Sequence, residues 1–235
     1  MSKEVDARGL AGRAAWSVGR LQRALKRRGL SETLGLAATR VRDKVVLREE
    51  HVWYQLSLQA DRPRRSLAPG LQLVQATERE RELATQISGE PSPESVREFH
   101  AVGGQLWVVL DVGRPAFSCW IFPKVTPALA APGGWLELPP GTVCLENSAT
   151  SPQDRGRGIA PAAWSEIADA LAGEGIVSMI TKVTVENIPS RKAVAKAGFV
   201  EIAMMRMARQ GTRTTVRIKP LGADMSAQLA ERLDR

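Results

Sequence analysis

The chain has 235 residues, of which 43% are hydrophobic, and a formal net charge of +8. This apolar fraction is sufficient for a conventional buried core, which excludes a disordered or fibrous protein. No run approaches the roughly 18 consecutive apolar residues of a membrane span, and the first residues lack the apolar core of a signal peptide. We therefore expect a cytoplasmic protein.

The positive charge is concentrated in residues 1–48. This segment contains twelve Lys or Arg and four acidic residues, which accounts for the whole net charge of the chain. Apolar residues recur at steps of three and four in two stretches, and this spacing predicts two amphipathic helices over 8–45. Their apolar stripe suits packing on the main domain or on a second subunit of a homodimer, whereas their basic face suits an anionic surface. The sequence leaves these three partners open.

A linker is predicted where Pro63 and Pro69 stand among three arginines. We therefore divide the chain into a basic helical extension with its linker, 1–62, and a larger domain, 63–235. His51 falls on the linker side of this boundary and is expected to lie in a linker that packs against the core, with a position facing a pocket as the alternative. A chain shortened to the larger domain is expected to fold on its own.

Beyond the boundary, the apolar pattern alternates between the strand period and the helix period. The predicted elements are a strand at 71–74, helical residues at 77–102 interrupted by two prolines, strands at 107–110, 116–122, 135–138 and 142–145, a helix at 159–171, a strand at 176–185, a helix at 189–197, and strands at 199–207 and 214–218. Ser92 is the candidate cap of the second helical piece within 77–102. Val112-Gly113-Arg114-Pro115 is a hairpin signal between two of these strands. The order predicts an α+β fold with a mixed, largely antiparallel sheet and flanking helices, preceded by the N-terminal amphipathic helices.

A turn with two glycines joins the strand at 142–145 to the helix at 159–171. Its sequence is Arg155-Gly156-Arg157-Gly158-Ile159-Ala160. The first turn of a helix presents N–H groups that lack an intrahelical partner, and glycines let an anion approach the backbone closely. The turn is therefore a candidate diphosphate site. The alternative is an ordinary turn in which the glycines only relieve backbone strain.

The same stretch resembles the Q/R-x-x-G-x-G/A signature of the GNAT superfamily of acyl-CoA N-acyltransferases. Downstream, Asn187-Ile188-Pro189-Ser190 followed by Gly198-Phe199 resembles the second motif of that family. The resemblance implies a GNAT-like fold with acetyl-CoA or another acyl-CoA as co-substrate. It also implies that the pyrophosphate binds to Arg155, Gly156, Arg157, Gly158, Ile159 and Ala160, and that Asn187 contacts the pantetheine arm.

The chain departs from the family pattern at Val194. Many members carry a tyrosine seven residues after the asparagine, and its hydroxyl can protonate the departing thiolate. The single tyrosine of this chain, Tyr54, falls outside the part that resembles the family. Protonation of the thiolate is therefore expected from another group or from water.

Two residues are candidates for the chemistry of acyl transfer. Glu146 follows the predicted strand at 142–145, where relatives often keep a catalytic glutamate, and it is the candidate base. Its alternative role is a solvated carboxylate or the partner of an arginine. Ser190 is the candidate hydrogen-bond donor to the coenzyme sulfur or carbonyl, and its alternative role is to cap the short helix.

Other reactive residues give weaker signals. Cys119 and Cys144 lie in apolar, strand-like runs, which predicts buried free thiols. His51 and His100 have no nearby cluster of cysteines or carboxylates, so we expect no metal site. Tryptophans such as Trp120 are expected in the core or at the rim of an acceptor pocket.

The sequence thus predicts an N-acyltransferase, with acetyl as the expected acyl group and a primary amine of a small molecule as the acceptor. The stretch Asn147-Ser148-Ala149-Thr150-Ser151-Pro152 resembles GNAT-type enzymes of polysaccharide assembly, which implies an amino sugar as one acceptor. Two alternatives stay open at this point. One is acetylation of a protein N-terminus or lysine, and the other is a non-catalytic acyl-CoA-binding sensor or scaffold.

Overall fold

The computed structural model describes residues 47–233 except 60, 79, 80, 82, 83, 85, 86, 88–90, 211, 212 and 223. The helices predicted over 8–45 lie outside the described residues, as does part of the helix predicted after residue 77. The strands are β1 (Leu47–Ser57), β2 (Leu71–Gln75), β3 (Gln105–Asp111), β4 (Arg114–Phe122), β5 (Val125–Pro127), β6 (Trp135–Glu137), β7 (Thr142–Thr150), β8 (Ser178–Thr184), β9 (Val200–Gln210) and β10 (Arg213–Pro220). The complete helices are α1 (Pro93–Ala101), α2 (Ile159–Gly173), α3 (Ile188–Lys196) and α4 (Asp224–Leu233).

Eight strands form one sheet in the order β10-β9-β1-β8-β7-β4-β3-β2, and β5 pairs with β6 in a separate hairpin. Neighbours in the large sheet are antiparallel except β7 and β8, which are parallel and connected through α2. A parallel pair requires such a crossover because its strands run in the same direction. The prediction of a mixed, largely antiparallel sheet with flanking helices is therefore confirmed.

Strand β1 was not predicted. It lies between β8 and β9 in the middle of the sheet, with Trp53 fully buried and Tyr54 nearly so. The expected linker is therefore wrong for Leu47–Ser57, and a boundary after residue 62 would remove a central strand from the sheet. The strand escapes sequence analysis because polar residues interrupt its apolar run, and one of them, His51, is buried all the same.

The parallel pairing of β7 and β8 is short. It runs from Thr142 against Ser178 to Leu145 against Thr181. Strand β7 then continues along β4 and β8 continues along β1, so the two strands diverge. Asn147 has a φ of 49°, a left-handed conformation that is typical of a bulge and bends a strand locally. The sheet therefore opens at one end between two of its central strands.

The core is divided between the two faces of the sheet. On one face, α2 and α3 pack over the sheet with Ile167 and Val194 among the buried side chains. On the other face, α1, α4 and the β5–β6 hairpin cover Trp53 and its neighbours. Apolar residues on both faces explain why several strands show no clean alternation in sequence. Among the described residues, no helix has the length and apolar character needed to cross a bilayer.

Several local predictions are confirmed. Ser92 caps α1, because its Oγ accepts a hydrogen bond from the Ser95 N–H at 3.2 Å. The hairpin signal falls between β3 and β4, which pair antiparallel. Cys119 and Cys144 are free and fully buried, and burial raises the pKa of both thiols, as expected for inert cysteines.

Candidate active site

The glycine turn ends at the N-terminus of α2. Gly156 and Gly158 have φ angles of 82° and 73°, a left-handed conformation that favours glycine. A Cβ built on either residue would meet no atom within 4 Å, so the space beside the turn is open. Gly158 is the N-cap of α2 and no side chain caps the helix. The first N–H groups of a 15-residue helix are therefore directed to an open space that suits an anion.

An ion-pair network around the buried carboxylate of Asp154 supports this turn. Asp154 is 2% exposed and accepts hydrogen bonds from Arg114 and Arg157. Arg157 Nη1 also lies 2.7 Å from Asp111 Oδ2. The Arg114 guanidinium in particular lowers the pKa of Asp154, so the carboxylate stays charged. The network connects the β3–β4 hairpin to the turn. The Arg157 guanidinium takes part in this network through its ion pairs with Asp111 and Asp154.

A cavity of about 570 Å³ lies between the glycine turn and α3. Six of the seven residues predicted to bind the coenzyme line this cavity, namely Arg155, Gly156, Gly158, Ile159, Ala160 and Asn187. The exception is Arg157, which lines neither this cavity nor the one described next. Lys192 and Lys196 of α3 also line the cavity, so three cationic side chains surround a space whose floor is a helix N-terminus. This combination fits a phosphorylated ligand such as coenzyme A.

A second cavity of about 350 Å³ occupies the opening between β7 and β8. Its polar lining includes Glu49, His51, Glu146 and Lys182. Four residues line both cavities: Ser148, Trp164, Asn187 and Ser190. The two cavities therefore adjoin at the N-terminus of α3, and a ligand that fills the first one can present its end to the second.

Glu146 forms an ion pair with Lys182, and both side chains are about one-tenth exposed. Lys182 Nζ also donates to the Pro127 carbonyl at 3.0 Å and lies 5.4 Å from the centroid of the Trp53 ring. Glu146 thus lies in the second cavity, as a candidate base should, but a buried ammonium neutralises its charge. Its role as the base stays a prediction.

Ser190 and Asn187 share the start of α3. The Asn187 side chain is the cap of the helix, because its Oδ1 accepts a hydrogen bond from the Ser190 N–H at 3.3 Å. The alternative role of Ser190 as the helix cap is therefore wrong. Because Ser190 lines both cavities, its position is compatible with the predicted contact to a thioester, which stays a prediction.

Neither Val194 nor Tyr54 supplies a hydroxyl to the cavities. Val194 lines the second cavity with an apolar side chain. The Tyr54 hydroxyl accepts a hydrogen bond from Arg191 Nε at 2.9 Å and donates to Glu201 Oε1 at 3.1 Å, and it lines neither cavity. Burial raises the pKa of Tyr54. Tyr54 therefore stabilises the contact between β1 and α3 and does not replace the missing tyrosine.

Sequence analysis missed Glu49 and Lys182 altogether and assigned His51 to a linker. His51 Nε2 lies 3.8 Å from Glu49 Oε2, and both residues point into the second cavity from β1. One feature of the sequence could have revealed Glu49 and His51. They are titratable residues two positions apart, a spacing that places both side chains on one face of a strand. In contrast, Trp120 packs in an aromatic cluster with Phe99 and Phe122 and lines neither cavity.

No group of three or more potential metal ligands is found among His, Cys, Asp and Glu of the described chain. The polar groups that line the two cavities are the N–H groups at the start of α2, cations, carboxylates and neutral polar side chains. This lining suits an organic phosphate ligand and a polar acceptor.

Comparison with solved structures identifies the fold. A putative acetyltransferase of the GNAT family from Novosphingobium aromaticivorans matches with a TM-score of 0.52 and 17% identity, over 72% of this chain and 67% of that chain. A GCN5-related N-acetyltransferase from Sphaerobacter thermophilus matches with a TM-score of 0.51 and 16% identity, over 81% and 58%. A tandem GNAT protein from the clavulanic acid biosynthesis pathway matches with a TM-score of 0.50 and 14% identity, over 76% and 59%.

The chain therefore has the fold of the GNAT acyl-CoA N-acyltransferases. It spans less than two thirds of the length of the Sphaerobacter and tandem proteins. No protein-family model matches the sequence, and a search of curated proteins found no match. The likeness thus concerns the fold.

Proposed function

We propose that the protein transfers an acyl group, with acetyl as the expected group, from acyl-CoA to a primary amine of a small molecule. The observation that carries this proposal is the junction of the two cavities at Ser148, Trp164, Asn187 and Ser190. A thioester held by its phosphates at the glycine turn would reach the opening between β7 and β8. The acceptor would enter that opening from the other face of the sheet.

The first cavity supports binding of the coenzyme. The open backbone at Gly156 and Gly158 accommodates a pyrophosphate without a side-chain clash. Arg155 and the two lysines of α3 supply positive charge around it. Asn187 and Ser190 stand at the far end, where the pantetheine arm would pass. Binding at this site would deliver an activated acyl carbonyl to the second cavity.

The second cavity supports a small, positively charged acceptor. Its volume of about 350 Å³ is at the lower end of small-molecule sites. Its lining holds two carboxylates, Glu49 and Glu146, and one ammonium, Lys182. These side chains carry one more negative charge than positive charge, and this excess attracts an ammonium group. An amino sugar is the narrower proposal for the acceptor, and it depends on the resemblance of 147–152.

Transfer requires removal of a proton from the acceptor ammonium, because only the neutral amine attacks a carbonyl. The attack forms a C–N bond, and the C–S bond of the thioester then breaks. Ser190 is proposed to donate a hydrogen bond to the sulfur or the carbonyl. Glu146 is one proposed base, although Lys182 neutralises its charge.

A non-catalytic acyl-CoA sensor is the second candidate function. One observation favours it, namely that Val194 places an apolar side chain where a tyrosine commonly assists the leaving thiolate. A sensor would keep the first cavity and its affinity for coenzyme. It would have no need of the polar groups that line the second cavity.

Native mass spectrometry and an acceptor screen test the proposal. The purified full-length protein is mixed with acetyl-CoA, and we expect a one-to-one complex. Free thiol is then measured with glucosamine, spermidine and lysine amide as acceptors, and the acylated products are identified by mass. A complex that forms without transfer to any acceptor supports the sensor. Absence of the complex overturns both functions.

A further inference from the structure

We propose that His51 is the base that removes the proton from the acceptor amine, and that Glu49 positions it. This inference rests on the proposed function, because a base is required only if an amine is acylated. It assigns the proton transfer to β1, the strand that lies outside the recognisable sequence motifs.

His51 has a paired residue on each side in the sheet. It pairs with Thr184 of β8 on one side and with Met205 of β9 on the other. Thr184 is the last residue of β8, beyond the point where β8 and β7 have diverged. The imidazole therefore stands at the open end of the sheet, where it lines the second cavity while only 6% of the residue is exposed.

Glu49 stands beside His51 on the same face of β1. Its Oε2 atom lies 3.8 Å from His51 Nε2, and its side chain is 14% exposed. A carboxylate at this distance in a shielded cavity stabilises the imidazolium that forms when His51 accepts a proton. The contact is longer than a hydrogen bond, so Glu49 acts on the imidazole through its charge. Glu49 is therefore a positioning residue.

The other groups around the cavity make His51 the better base. The charged groups that line it from neighbouring strands are Glu146 and Lys182, and these two form an ion pair. Strand β9 contributes Met205 and Met207, and the segment after β5 contributes only alanines and a leucine. Protonation of Glu146 would leave the Lys182 ammonium without its counter-charge in a site that is nine-tenths buried. Protonation of His51, in contrast, creates a favourable pair with Glu49.

The proton balance of the reaction is complete with these groups. The acceptor ammonium gives one proton to His51 and becomes a neutral amine. The amine forms the C–N bond, the C–S bond breaks, and the second proton from nitrogen ends on the thiolate sulfur. The products are an amide and a free thiol, and His51 returns its proton to water.

The test compares His51→Gln with His100→Gln. His100 is the other histidine of the chain and packs against Trp120 outside both cavities, so its replacement is a matched control. We expect His51→Gln to lower kcat/KM for the amine by about 100-fold at pH 7, while the Kd for acetyl-CoA stays unchanged. The acid limb of the pH–rate profile should disappear with His51→Gln and remain with Glu146→Gln.

Two further measurements separate a base from a structural residue. His51→Ala should regain activity when imidazole is added, and the rescue should grow with the basicity of substituted imidazoles. Glu49→Gln should shift the acid limb and lower kcat without changing the affinity for acetyl-CoA. Methoxyamine, which is neutral at pH 7, should be acylated by His51→Gln nearly as fast as by the unchanged protein.

The outcomes distinguish this inference from the proposed function. Acyl transfer that persists in His51→Gln with its acid limb intact overturns the role of His51 alone. Loss of the acid limb in Glu146→Gln also overturns it, because the base would then be Glu146. Acetyl-CoA binding with no transfer to any amine overturns the proposed function, and this inference with it. If His51→Gln fails to fold, rescue of His51→Ala by imidazole decides the question.

Discussion

Asp154 and Arg114 form a hydrogen-bonded ion pair beneath the glycine turn, with Arg114 Nη1 2.6 Å from Asp154 Oδ2. The two residues are 40 positions apart, and Arg157 completes the pair from within the turn. The carboxylate thus holds two cations that would otherwise repel each other. We infer that it fixes the turn before the coenzyme arrives, so that binding does not have to order it.

The first prediction concerns Asp154→Asn. The amide cannot balance two guanidinium groups, so the turn should loosen, the Kd for acetyl-CoA should rise about 10-fold, and Tm should fall by several degrees. Because Arg114 lowers the pKa of Asp154, the carboxylate stabilises the fold above the ordinary pKa of aspartate and loses this effect as pH falls through the lower, folded value. The variant should therefore lose part of the acid dependence of Tm. Identical Tm–pH curves for both proteins would contradict this.

The second prediction concerns Gly158→Val, with Gly175→Val as its control. Both glycines have positive φ angles and open space around the Cβ position, so the backbone strain of the two variants is comparable. Gly175 lies at the far end of α2, outside both cavities. We expect the Kd for acetyl-CoA to rise at least 10-fold in Gly158→Val, equivalent to about 1.4 kcal/mol, and to stay unchanged in Gly175→Val. Calorimetry that shows equal affinities would exclude the turn as the pyrophosphate site.

The glycine turn and the network beneath it differ in how far the sequence reveals them. The turn, the Ser92 cap and the β3–β4 hairpin depend on neighbours within a few residues, and sequence analysis found all three. The pairing of Asp154 with Arg114 depends on the register of the sheet, which no local pattern encodes. Sequence analysis missed the roles of Glu49 and His51 for the same reason, because these roles depend on the position of β1 beside β8 in the sheet.

The third prediction concerns the ion pair of Glu146 with Lys182. Glu146→Gln leaves a nine-tenths buried ammonium without its carboxylate, so the free energy of unfolding should fall by about 3 kcal/mol. The double variant Glu146→Gln/Lys182→Met removes both charges and should recover most of that loss. Denaturant titration of these two variants and of Lys182→Met completes the double-mutant cycle.

The same variant tests Glu146 as a base. If Glu146 accepts the proton, Glu146→Gln should lower turnover about 100-fold and leave acetyl-CoA binding nearly unchanged. If His51 accepts it, the loss should stay below about 10-fold, because the cavity keeps its base. The measurement is kcat at saturating acetyl-CoA over a range of pH.

The last prediction separates the N-terminal segment from β1. A chain that begins at residue 46 keeps every strand of the sheet, so we expect it to fold, to bind acetyl-CoA with unchanged Kd and to have a net charge near zero. A chain that begins at residue 62 loses β1 and with it the buried side chains of Trp53 and Tyr54. Loss of one such aromatic side chain from a core costs about 3–5 kcal/mol, and the unpaired edges of β8 and β9 would promote aggregation. We therefore expect the shorter chain to be insoluble or unfolded by circular dichroism. If it is instead soluble, binds acetyl-CoA and melts at the temperature of the full chain, then β1 is dispensable for the fold, and acyl transfer by this chain would in addition show that His51 is not required for the reaction.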